Sequence, residues 1–187
     1  DSKEVIVREE ILMALGAVRD EAALPILIKA LDDSTRAARI ASNGLAALGP
    51  RAKDALPKVQ KGFRDGKLAE NGLSALIAIQ GREAVPLVLE VVNRDKNEQN
   101  LISNAAFWLA DVADPRAADF MSRHLGTDDD RSVPAARYFA KLGDEASMAR
   151  LRKSLTNVKP STQGGFHRTD VSRIADVRQI AVEALGK

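Results

Sequence analysis

About every thirty residues this chain returns to the same kind of segment, a run of small and apolar side chains that closes on a turn. Copies stand at 7–16, 40–49, 68–77, 101–110 and 177–186, with a weaker one at 131–140. Their last residues lie 33, 28, 33, 30 and 46 positions apart. A unit this short cannot hide an apolar face by itself. It has to lay that face against the next copy, so the chain must build a stack of repeated bricks.

Three further registers keep the same phase. Ala-Leu/Val-Pro recurs as Ala23-Leu24-Pro25, Ala55-Leu56-Pro57 and Ala84-Val85-Pro86, with Asp119 and Ala149 at the Pro place in the next two units. Proline fits only the first turn of a helix, where its missing N–H costs nothing, so each one marks a helix start. Acids at Asp32-Asp33, Asp65, Asp95 and Asp128-Asp129-Asp130 fall between the Pro-started helix and the small-apolar one. At that place a carboxylate suits the orphan N–H groups and the dipole of a helix N-terminus, and capping is the role expected of them. The last register is Asn43, Asn71 and Asn104, each in a small-apolar segment and each followed by Gly or Ala. Asn and Gly are poor choices inside a helix, so their recurrence needs a reason.

Two helices per brick give an all-α chain. Aromatics make up 4% of it, which argues against sheets, since strands draw on aromatic and β-branched residues. The 28 basic and 26 acidic side chains alternate, leaving a net charge of +2 without the basic stripe of a nucleic-acid binder. The absence of Cys removes disulfides, thiolate catalysis and Cys-based zinc sites. No apolar run reaches membrane-spanning length.

The segments 177–186 and 21–33 resemble HEAT repeats, specifically the short HEAT-like type first named from phycobilin lyases. The resemblance extends over the whole chain. It implies a right-handed α-solenoid, a superhelix of about five and a half helix pairs, with 1–187 as a single continuous domain. The small-helix Arg of that family stands at Arg8 and Arg178 and is replaced by Ala41, Ala69, Ile102 and Ser132. Neither end reads as a polar cap, so the chain is expected to be a fragment of a longer array.

The same resemblance implies a non-catalytic scaffold that holds another protein or peptide on its concave, second-helix face. A structural segment of a larger protein, or a lyase-like, cofactor-handling protein, are the alternatives. The expected partner residues are Asn43, Asn71, Asn104 and Trp108. Each Asn has a second reading, as a ladder of amides bonded to backbone or to one another across units. Trp108, the only Trp, lies four residues after Asn104 on one helical stripe and serves either as core or as contact. The irregular stretch 156–170 stretches the last gap. It places Phe166, His167 and Arg168 side by side, as a contact for a partner or as a tolerated surface insertion. No cofactor, metal or nucleic acid is expected. The two histidines, His124 and His167, are far apart in sequence, and the Asp128-Asp129-Asp130 run lacks the spacing of a calcium loop. The Arg side chains 36, 39, 131, 137, 173 and 178 either form a solvated face or, where they align on one surface, attract an acidic segment.

Overall fold

In the computed structural model, which describes residues 2–94, 98–127, 129–157 and 168–186, the chain is all-α, with no strand among the described residues. It divides into two compact units, 1–95 and 96–187.

The first unit holds α1 (Ser2–Val18), α2 (Leu24–Ala30), α3 (Thr35–Leu48), α4 (Leu56–Arg64), α5 (Ala69–Gln80) and α6 (Val85–Arg94). Helices α1, α3 and α5 stack side by side, with α2 and α4 packed on that layer and α6 on α4. Arg36 reaches back to Glu9 in the first halves of α3 and α1, while Gly44 meets Gly16 in their second halves. The stacked helices therefore run in the same direction. In the second unit α7 (Gln99–Val112), α9 (Ser132–Leu142) and α11 (Arg168–Leu185) form the equivalent stack, with α8 (Ala118–His124) and α10 (Glu145–Asn157) against it.

The prolines do what their register predicts. Pro25, Pro57 and Pro86 each lie in the first turn of α2, α4 or α6, after a short 3-10 turn. Ala149 departs from it, lying inside α10, which starts at Glu145 under an Asp144 cap.

The acids largely do not cap. Ser34 caps α3, its Oγ accepting from the Ala37 N–H. Asp33 pairs with Arg8 at 2.5 Å, Asp32 with Lys58 and Asp65 with Lys61, each also at 2.5 Å. Ser34 stands one residue nearer the helix and takes the capping place, which leaves the carboxylates to cations. Asp129 does accept an N–H near the start of α9, from Arg131. Asp95 and Asp128 lie outside the described residues. The carboxylates that cap are Asp20, Asp114 and Asp144, which accept from the N–H of Ala22, Arg116 and Ser147. Each follows a residue with left-handed backbone, at Arg19, Ala113 and Gly143, so helix end and next helix start are built as one turn.

A second repeating device ties bricks together. Lys58 donates to the Ile28 carbonyl, Arg94 to that of Arg64, and Lys141 to that of Asp111. In each case the cation lies 30 residues beyond its acceptor, near the carbonyl-rich end of a helix, where positive charge is favoured.

The core is the expected apolar set. Leu12, Leu27, Leu45, Leu48, Leu73, Leu76, Leu87, Leu109, Phe139 and Ala181 are buried. Leu142 and Leu185, expected with them, are only half-buried at the ends of their helices. Burial also corrects the register. The buried positions 37, 38, 41, 42, 44, 45 and 48 of α3 recur 31 residues on, at 68, 69, 72, 73, 75, 76 and 79. The 28-residue spacing read from the small-apolar segments is thus one turn short. Ala, Leu and Gly recur every three or four residues along such a helix, so letters alone let the alignment slip by a turn. The positions of Asn43 and Asn71 are therefore not equivalent: Ser74 matches Asn43, and Ile40 matches Asn71.

Candidate partner-binding surface

The approach of α1 to α3 shapes the surface of the first unit. A Cβ on Gly16 would lie 2.8 Å from the Gly44 Cα, so the helices touch through bare backbone. On the solvent side of that contact a shallow groove of about 470 Å³ opens, lined by Leu12, Met13, Gly16, Ile40, Asn43 and Ala47. Its floor is small and apolar. Met13 is exposed on one wall, and Asn43 is an exposed amide on the other.

Asn43 is bound to the next brick. The Asn71 Nδ2 donates to Asn43 Oδ1 at 2.8 Å, and Ser42 Oγ donates to the Asn71 carbonyl at 3.0 Å. Because the two amides are one turn out of register, their side chains can meet across the gap between α3 and α5. Of the two readings of the Asn residues, the inter-brick amide bond is present for this pair. The bond occupies only the carbonyl oxygen of Asn43, on a residue that solvent reaches.

The other expected contacts belong to the second unit. Asn104 is exposed on α7. Its neighbour Ser103 donates to Asp130 at 3.2 Å. Trp108 is half-buried one turn later, and Phe107 beside it is 44% exposed. Burial matches Trp108 with Ala75 and Gly44, so its ring stands where the first unit leaves room for backbone. Phe166 and His167 lie outside the described residues. Arg168 opens α11, and its side chain lies outside them too.

Three of these arginines are engaged within their own units. Arg36 is held by Glu9 at 2.8 Å, Arg39 by the Lys67 carbonyl at 3.2 Å, and Arg131 by Asp129 at 2.7 Å and Gln99 at 2.9 Å. Arg137 and Arg178 are exposed, and the Arg173 side chain is outside the described residues.

The second unit holds a polar cluster that sequence reasoning missed. Buried Tyr138 donates its hydroxyl to the Asp114 carbonyl at 2.7 Å. The Asp114 carboxylate takes both Nε and an Nη of Arg116 at 2.8 Å. Burial, helped by the Asp114 and Asp144 charges, pushes the Tyr138 hydroxyl up to about 12. The available signal was that the only Tyr of the chain falls 30 residues after Trp108, in a small-apolar segment. His124 packs edge-on against Phe120 with centroids 4.9 Å apart. Burial first, then the Arg131 charge, holds it below its ordinary value.

Residues 7–33 match the family model of the PBS lyase HEAT-like repeat. The HEAT-like stretch runs from within α1 through α2 to Asp33. The Arg8–Asp33 pair lies within it, joining α1 to the turn before α3. No curated protein matches the chain.

Proposed function

We propose that this chain is a non-catalytic scaffold that binds another protein or peptide along the second-helix face of its HEAT-like repeats. On this reading the helix pairs, about five and a half by sequence, wind into a right-handed solenoid. The observation that carries the reading is the α1–α3 groove with its amide wall. An apolar floor between two stacked helices takes an apolar side chain of a partner. The exposed Asn43, steadied by Asn71, offers hydrogen bonding to the partner's backbone. The steadying matters because an amide already held in place loses less side-chain freedom on binding. Trp108 and Phe107 supply a second, aromatic contact on the other unit.

The test is affinity capture from the native source with three forms of the chain. The wild type should retain a partner that Met13→Glu/Ile40→Glu loses by tenfold or more, since each change puts a charge in the groove. Asn43→Ala should weaken capture less, by a few-fold. Equal recovery of every partner by all three forms sinks the groove as the binding surface.

A further inference from the structure

On the second unit the stacked helices α7 and α9 set two unlike side chains next to each other. The buried positions 102, 105, 106 and 109 of α7 recur 30 residues on, at 132, 135, 136 and 139 of α9. Lys141 reaches the Asp111 carbonyl across the same interval, so the register holds in space as well as in burial. The exposed residue inside each buried set is Phe107 on α7 and Arg137 on α9. Packed helices lie about 8–10 Å apart, so ring and guanidinium stand side by side on one face. Helix α9 has α7 on one flank and α11 on the other. The exposure of Arg137 therefore belongs to the face of the stack, and Phe107 shares its register. The matching place in the first unit holds Asn43 and Ser74, which are small and polar.

A lone exposed aromatic is ordinary. What sets this one apart is the cation beside it. Arg131 is bonded to Asp129 and Gln99, and Lys141 to the Asp111 carbonyl, whereas among the described residues no bond holds Arg137. We propose that this face binds a segment of another protein in which an Asp or Glu stands next to a large apolar residue. The proposal rests on the scaffold reading of the second-helix face and adds the chemistry of the partner. The apolar side chain lies on Phe107 and takes the ring out of water. The carboxylate takes the fork of Arg137, whose paired N–H groups match its two oxygens. Lys141, exposed one turn further on, adds positive charge, and Asp111, exposed one turn after Phe107, opposes it. That opposing carboxylate repels a run of anions. The face therefore fits one carboxylate beside an apolar side chain better than the repeated phosphates of a nucleic acid.

Selection of a random peptide library on the full chain tests this. Peptides retained by the wild type should carry Asp or Glu next to a large apolar residue. Their binding, read by fluorescence anisotropy, should fall about tenfold or more with Arg137→Glu and about fivefold with Phe107→Ser. Exchanging the acid of such a peptide for Lys should abolish binding to the wild type and restore it to Arg137→Glu, a swap that no loss of folding imitates. A library that yields no binder, a selected set without acids, or peptides that bind Arg137→Glu as tightly as the wild type would overturn the proposal. Where those same peptides are lost with Met13→Glu/Ile40→Glu, the groove of the first unit still binds and only this site fails. A single-stranded oligonucleotide bound more tightly than every peptide, and released by Arg137→Glu, also overturns it and assigns the face to nucleic acid.

Discussion

Tyr138 places its hydroxyl where no water competes for it, on the carbonyl of Asp114. Replacing it with Phe removes the donor, while the Asp114 carbonyl keeps its bond from the Ala117 N–H, so the change should cost about 1 kcal/mol near neutral pH. The pH dependence follows from the raised value. An unfolded chain ionises this phenol near 10.0, whereas the folded one holds its proton to about 12. The stability associated with it is complete below 10.0 and falls as pH rises through about 12. Urea titrations of wild type and Tyr138→Phe should therefore converge across that window. His124 acts in the opposite direction. Its folded value is lowered, so stability is retained above the ordinary histidine range and lost as pH falls below it. A His124→Phe variant should lose less stability on acidification than the wild type, as read by the thermal midpoint on either side of about pH 6.5. Gly16 concerns shape instead of charge. Alanine there gains about 1 kcal/mol of helix propensity but drives a Cβ to 2.8 Å from the Gly44 backbone. The clash costs about 1–3 kcal/mol and outweighs the gain, so Gly16→Ala should lower the midpoint of denaturation.

Helices in this chain are set by their ends as much as by their faces. Ser34→Ala should cost about 1 kcal/mol through the lost cap of α3, while Asp33→Asn should leave that cap untouched and disturb only the pair with Arg8. Leu45→Asp buries an unpaired charge in the most enclosed part of α3 and should abolish cooperative unfolding of the first unit. This is also the scale at which sequence reading was most successful. Proline positions identified the starts of α2, α4 and α6, because proline's chemistry allows almost no other place. Acidic positions misled because a carboxylate serves a cap or a cation equally well, and only the fold reveals which lies nearer. The amide pair was readable as a motif, yet its geometry was not. Asn43 and Asn71 meet because they differ in register, and a helix of Ala, Leu and Gly hides a one-turn slip.

At the scale of the molecule the account rests on bricks of about thirty residues, each made of a first helix, Pro-started in α2, α4 and α6, and a small-residue helix. The period is carried by contacts as well as letters: cations 30 residues apart from the carbonyls they meet, and burial that repeats after 31. The Asp114–Arg116–Tyr138 cluster was not legible in the sequence, since bringing 114 to 138 depends on how α7, α8 and α9 pack. A surface that binds by shape offers no reactive cluster for a motif to reveal, which is why the groove emerged only from the stacking of α1 on α3. The most direct test of the scaffold reading is photo-cross-linking in the native extract from single positions of the full chain. A photoreactive residue at Asn43, on the second-helix face, should label one partner strongly, while one at Glu83, before α6, should label none. Labelling from Glu83 with none from Asn43 would contradict the account.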